Sequence, residues 1–153
     1  MKLSKTDLEL IKFAESVAKD NSDLFYSNNL YMGCALRAKS GKIYKGVNLK
    51  SSHSVCAEQI ALGQALACGE REFDTIVSVK LEADGTSHVV SPCGLCRYIF
   101  DKAGFDINFI VADIKKDKLA KVNIEELLPY PYKRKEDIEK TLKKKTKITK
   151  ATK

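Results

Sequence analysis

Two short cysteine-bearing segments constrain this chain more than any other feature. They are Cys56-Ala57-Glu58 and Pro92-Cys93-Gly94-Leu95-Cys96, with 37 positions (93 − 56) separating Cys56 from Cys93. Each stands where a loop or strand gives way to a helical run, so each can present thiols from a helix N-terminus. That end of a helix favours the thiolate, and thiolates are strong zinc ligands. The chain between the motifs reads as one helix, two strands and turns. It is long enough to bring the two helix starts side by side, and a fold that uses both motifs has to do so.

A Cys-x-x-Cys pair alone is compatible with structural zinc, a redox couple or coincidence. A structural site needs a fourth ligand, and the only histidines are His53 and His88. His53, three positions before Cys56, is the candidate. A redox couple leaves Cys56-Ala57-Glu58 without a purpose. Three protein ligands, Cys56, Cys93 and Cys96, leave one position open on a tetrahedral ion, which is the pattern of catalytic zinc. Glu58 lies two positions beyond Cys56, close to the metal but turned away from the ligand direction. That placement suits a group that moves a proton.

The other cysteines fit neither motif. Five cysteines are an odd number for a disulfide framework, and Cys34 and Cys68 read as small buried hydrophobes. A chain of 153 residues, 44% of them hydrophobic, suits one domain with a core of its own. No apolar run approaches the ~18–20 residues of a membrane span. Met1 to Asp7 is charged, without the apolar stretch of a secretory leader, so a cytoplasmic protein is expected. The net charge of +7 is not spread evenly. Residues 133–153 hold 10 Lys+Arg and 3 Asp+Glu, and residues 1–132 hold 17 of each. A neutral body with a basic, lysine-rich tail is a poor nucleic-acid surface. The expected organisation is therefore one domain over 1–132 and a solvated tail over 133–153.

Ser4 and Asp7 fit a capping box, and Leu10, Ile11, Ala14, Val17 and Ala18 follow helical spacing to about Asp20. Residues 21–29 read as a polar turn. Gly33–Ala38 and Ile43–Asn48 read as a hairpin around Ser40-Gly41, followed by a polar loop over Lys50–Ser54. Cys56–Cys68 is helical, with Gly69 as its C-cap. Thr75–Leu81 and His88–Val90 read as strands about an Asp84-Gly85 turn. Ser91 is the expected N-cap, and Pro92 the first residue, of a helix to about Ala103. Ile107–Ala112 reads as a strand and Ile124–Leu128 as a short helix closed by Pro129. The segment from Lys133 to Lys145 has helical character but is too charged to need a core. Strands alternating with helices predict a two- or three-layer α/β domain with a mixed sheet.

The two motifs resemble those of the zinc deaminases, in which a non-ligand glutamate accompanies Pro-Cys-x-x-Cys. Cys56-Ala57-Glu58 and Ser91-Pro92-Cys93-Gly94-Leu95-Cys96-Arg97 look like the small tetrameric cytidine deaminases and the related blasticidin S deaminases. Tyr26-Ser27, Gly33-Cys34-Ala35-Leu36, Gly41 to Asn48, and Glu126-Leu127-Leu128-Pro129 extend the likeness in order. The resemblance implies a three-layer α-β-α domain around a mixed central sheet. It also implies one Zn²⁺ per chain on Cys56, Cys93 and Cys96, with Glu58 as catalytic proton shuttle. The implied reaction is hydrolytic deamination of cytidine or deoxycytidine in pyrimidine salvage, by a homotetramer. Asn48 stands where that family binds the sugar, and the backbone near Ala57 and Ser91 where it orients the base. Tyr132 stands where an aromatic residue closes a neighbouring site. The departures are Lys50 for a sugar-binding glutamate, Leu30 for a phenylalanine, and Gln59 for an arginine that offsets thiolate charge. With Gln59 neutral, Arg97 is the expected charge-balancing cation. Lys50 and Gln59 favour an alternative substrate, a modified cytosine nucleoside such as blasticidin S.

Overall fold

The computed structural model describes residues 2–21, 31–49, 54–137 and 139. Leu30, Lys50, His53, Tyr26-Ser27, the turn over 22–29 and most of the tail lie outside the described residues.

Helix α1 (Lys5–Asp20) starts at the expected capping box. The Asp7 N–H donates to Ser4 Oγ at 3.2 Å and the Ser4 N–H donates to Asp7 Oδ2 at 3.0 Å. Its periodic residues Leu10, Ala14, Val17 and Ala18 are buried. Strands β1 (Tyr31–Ala38) and β2 (Ile43–Val47) form the antiparallel hairpin about Ser40-Gly41. Helix α2 (Ala57–Ala67) runs between Cys56 as N-cap and Cys68 as C-cap. Strands β3 (Phe73–Leu81) and β4 (Ser87–Val90) pair antiparallel across the Asp84-Gly85 turn. Helix α3 (Gly94–Lys102), strands β5 (Asn108–Asp113) and β6 (Lys118–Asn123), and the short helix α4 (Ile124–Leu127) complete the chain of elements.

The sheet order is β2-β1-β3-β5-β6, with β4 extending from β3. Only β3 and β5 run parallel; the other pairs are antiparallel, so the sheet is mixed as expected. On one face, Leu10 and Ala14 of α1 pack with Ala35, Val77, Val79 and Ile110. On the other, Ala57 and Ala61 of α2 and Phe100 of α3 pack with Cys34, Leu36, Ile76 and Phe109. Helices thus cover both faces, giving three layers around the sheet.

Two glycines set how closely the helices sit. A Cβ at Gly33 would fall 2.2 Å from the Ala14 carbonyl oxygen of α1, and one at Gly46 would fall 2.1 Å from the Ala57 carbonyl oxygen of α2. No side chain fits either place. Gly46 therefore lets the first turn of α2, which carries Glu58, press against the sheet. The bridge between Leu49 and Val55 delivers the chain to Cys56 beside it.

Several expectations are corrected. Strand β6 was not expected: Lys118-Leu119-Ala120-Lys121-Val122-Asn123 has little β-branched character, and it forms because β5 offers an edge to pair with. Helix α3 is capped by Cys93, not Ser91, because the Cys93 sulfur accepts the Cys96 N–H. Ser91 and Pro92 precede the helix. Cys68 is exposed, since α2 ends there and Gly69 turns the chain away. Cys34 is fully buried, as expected.

Candidate metal centre

The N-terminus of α2 and that of α3 meet on the face of the sheet opposite α1. Cys56 and Cys93 occupy the two N-cap positions, and Cys96 lies within the first turn of α3. The three sulfurs all lie within 4.8 Å of one another. Cys56 Sγ and Cys93 Sγ are 3.7 Å apart. A tetrahedral zinc with Zn–S bonds of ~2.3 Å holds its sulfurs about 3.8 Å apart, and the Cys56–Cys93 spacing matches that value. Cys96 is buried, Cys56 half-buried and Cys93 exposed, so the cluster opens toward solvent on one side. His88 is not part of it, and His53 lies outside the described residues.

The local fields differ from sulfur to sulfur. Burial pushes the Cys96 thiol up, reinforced by Glu58 and the neighbouring sulfurs. Burial and the Cys93 sulfur push Cys56 up. At Cys93 burial acts in the same direction, but the backbone N–H of Cys96 and the neighbouring thiols outweigh it and hold the thiol below its ordinary value. Such crowding of like groups is relieved when a cation takes the centre.

Glu58 sits at the second position of α2 and is buried at 5% exposure. Burial raises its pKa; its own backbone N–H, the Ser78 hydroxyl and the Cys96 thiol partly oppose the rise. Among the described residues it has no ion-pair partner. It thus stands beside the sulfur cluster without a cation from the described residues.

The other expected residues are placed as follows. Ala57 is buried at the start of α2. Asn48 follows β2, and its Oδ1 accepts the Met32 N–H at 2.9 Å, which fixes the side chain and leaves its amide N–H groups as donors. Ser91 is exposed, with its hydroxyl toward the Ala112 carbonyl at 3.4 Å. Tyr132 is exposed at 72%. Arg97 donates to the carbonyls of Pro92 at 2.9 Å and Leu127 at 3.3 Å, bracing α3 against α4. The hydrogen bond to sulfur comes instead from Gln59, whose Nε2 donates to Cys96 Sγ at 3.7 Å. Lys50 lies outside the described residues.

Two residues near Glu58 carry no signal in local spacing. Cys34 on β1 and Ser78 on β3 lie under the α2 start because the strand register pairs them. Only the register, which sequence reading does not supply, brings them there.

Comparison with known proteins agrees with this geometry. Residues 4–112 match the family model described as the cytidine and deoxycytidylate deaminase zinc-binding region. The chain is 38% identical over 140 residues to the blasticidin-S deaminase of Bacillus cereus, covering 86% of this chain and 96% of that one. It is 36% identical over 96 residues to the cytidine deaminase of Sporosarcina psychrophila, covering 61% and 67%. The solved structure of the Burkholderia pseudomallei cytidine deaminase superposes with a TM-score of 0.66 at 25% identity, covering 85% of this chain and 100% of that one.

Proposed function

The chain belongs to the cytidine and deoxycytidylate deaminase family, and on that premise we propose that it hydrolytically deaminates a cytosine nucleoside, releasing ammonia. The observation that carries this reading is the meeting of Cys56, Cys93 and Cys96 within bonding range of one ion, with buried Glu58 beside them. One zinc per chain would be held by these three thiolates. When bound, zinc supplies a Lewis acid that makes water a nucleophile near neutral pH.

The chain's own groups do the rest. Glu58 accepts the proton of the attacking water, passes it to N3 of the ring, and then assists the departure of ammonia from C4. Gln59 steadies Cys96 through its amide N–H. Three thiolates exceed the charge of the ion by one, and Arg97, immediately after Cys96, offsets it from the helix side. The backbone at Ala57 and Ser91 orients the base. Asn48, held by the Met32 N–H, offers its amide to the sugar. Lys50, in the same region of sequence, would donate to an acidic group on the substrate. We further assign the enzyme to pyrimidine salvage in the cytoplasm, as a homotetramer in which exposed Tyr132 closes a neighbour's site. No helix among the described residues is long and apolar enough to cross a membrane.

A second reading has a specific observation in its favour. The relative matched over 96% of its length is named for blasticidin S, a modified cytosine nucleoside. Lys50 and Gln59, in place of a sugar-binding glutamate and an arginine, favour that substrate. The test is ammonia release from cytidine, deoxycytidine, cytosine and blasticidin S by the zinc-loaded protein. Turnover of cytidine or deoxycytidine supports the first reading, and turnover of blasticidin S alone supports the second. A zinc-loaded protein inactive on all four overturns both.

A further inference from the structure

Side chains alternate along β3 between the two faces of the sheet. Val77 and Val79 pack toward α1, and Ile76 packs toward α2 and α3. Lys80, in step with Ile76, therefore stands on the face that carries the sulfur cluster. The first turn of α2 lies over Gly46, which pairs with Cys34, and Cys34 pairs in turn with Ser78. One row further out on the same face, about 7 Å along the strands, Met32 pairs with Lys80 and Lys80 with His88. Asn48 joins the other end of that row through its bond to the Met32 N–H. Met32 is thus a floor between Asn48 and Lys80, whose backbones stand two strand spacings, about 10 Å, apart.

Lys80 does not act alone. Its Nζ donates to both carboxylate oxygens of Glu82, just past the end of β3, at 2.8 and 2.9 Å. The two side chains are 26% and 34% exposed, so the pair is partly buried yet open to a small molecule. His88 Nδ1 stands 3.6 Å from Glu82 Oε1, beyond normal hydrogen-bond reach. A carboxylate offers about four lone-pair sites and an ammonium three N–H groups. Their mutual contact leaves Glu82 about two acceptor sites and Lys80 one donor. The pair carries no net charge, so it gives an anion no advantage. Its complement is a neutral group that both donates and accepts, which is a hydroxyl.

We propose that Lys80 and Glu82 form a subsite for the hydroxyl groups of the substrate's sugar, across Met32 from Asn48. The proposal rests on the reading of the chain as a cytosine nucleoside deaminase. The base reaches the metal centre over the inner row, and the sugar lies over the outer one, between the Asn48 amide and the ion pair. Glu82 accepts from the sugar hydroxyls. Lys80 grips both oxygens of Glu82, so the carboxylate is aimed before the substrate arrives and little ordering remains to be done on binding. A site of this kind discriminates against a sugar that lacks the hydroxyl it reads, because the carboxylate then loses its partner.

The test measures KM and kcat of zinc-loaded parent, Glu82→Gln and Lys80→Met on cytidine and on three analogues that each lack one sugar hydroxyl. With the parent, at least one analogue should show a KM about ten- to hundredfold above that of cytidine, the size of one lost hydrogen bond to a charged group. Glu82→Gln should raise the KM of cytidine by a similar factor and leave that of the same analogue unchanged, with kcat and zinc content at parent values. Lys80→Met keeps the carboxylate but not its hold, and should show the same pattern at smaller size. Calorimetric binding of uridine and of the matching deoxy form gives the comparison without turnover. A parent-like KM for cytidine in Glu82→Gln, or an equal rise for all four nucleosides, overturns the subsite while leaving the deaminase reading intact. A parent that deaminates none of the four overturns the cytidine reading and the subsite together.

Discussion

Asp7 and Glu58 occupy matching places on opposite faces of one sheet. Each is an acid in the first turn of a helix, and each is buried, at 1% and 5% exposure. Their surroundings are opposite. Asp7 receives Arg37 at 2.9 Å, Lys121 at 2.9 and 3.1 Å, and the Ser4 N–H at 3.0 Å. Burial alone would raise its pKa, yet the Ser4 backbone, Lys121, the Ser4 hydroxyl and Arg37 together hold it well below the usual carboxylate range. Glu58 has no cation from the described chain, and burial leaves its pKa raised. The difference separates a carboxylate that fastens a fold from one that can exchange a proton. Asp7 joins α1 to β1 and β6, and protonating it would undo those contacts. Glu58 has no ion pair among the described residues to lose on protonation.

The largest expected effect is on Glu58. Glu58→Gln keeps size and much of the hydrogen bonding but cannot titrate. Turnover should fall at least ~10²–10⁴-fold, as for a lost general acid–base. Zinc content should hold, and the melting temperature should not fall, because the exchange removes a buried charge that has no cation partner among the described residues. Near-parent turnover with zinc in place would remove Glu58 from the chemistry and collapse the contrast with Asp7.

The same substitution on the other face should behave in reverse. Asp7→Asn takes the buried carboxylate from Lys121 and leaves Arg37 with Asp74, at 2.7 Å, as its acidic partner among the described residues. Breaking a buried ion pair costs about 3 kcal/mol or more, or roughly 6–12 °C in melting temperature for a chain of this size. Zinc content and kcat of the folded fraction should be unchanged. The pH dependence follows from the depressed pKa: the Asp7 contribution is present above the unfolded value of ~3.9 and is lost as pH falls below it. The stability gap between parent and Asp7→Asn should therefore close in acid. A gap that widened there would mean that Asp7 is not held ionised.

How much of this contrast was legible in the sequence depends on the range of the contacts. The Ser4–Asp7 capping box spans three positions, and spacing alone gives it away. Cys56-Ala57-Glu58 and Pro92-Cys93-x-x-Cys96 are local too, and their meeting needed only two helix starts. Arg37 and Lys121 reach Asp7 from 30 and 114 positions away. Lys121 arrives on β6, a strand whose lysine-rich sequence gives no sign that it pairs. Ser78 and Cys34 are adjacent only through strand register, which one-residue slips would destroy. Cys93 displaced Ser91 as N-cap because a sulfur accepts the helix N–H groups while also facing the cluster, two roles that a serine preference does not anticipate.

The smallest effect belongs to a third kind of acid, the half-buried one. Lys133 donates to Asp101 at 2.7 and 2.8 Å, and Lys102 pairs with Asp137, fastening the start of the basic tail to the end of α3. Lys102, followed by Arg134, holds Asp137 down at about 2. Solvent still reaches the lysines of these pairs, at 28% exposure each, so their contribution is modest and partly screened by salt. Chains ending at Tyr132 and at Lys140 should both fold and bind one zinc, with the shorter lower in melting temperature by no more than about 3 °C. Two conditions then separate this difference from that of Asp7. In 1 M salt, where the screening length is ~3 Å, the gap between the truncations should vanish while the Asp7→Asn gap persists. On acidification the Asp137 contribution, present above ~3.9, should be lost as pH falls toward about 2. A shorter chain that loses zinc or precipitates would show that residues beyond Tyr132 are part of the folded domain, and that the boundary lies further along the tail.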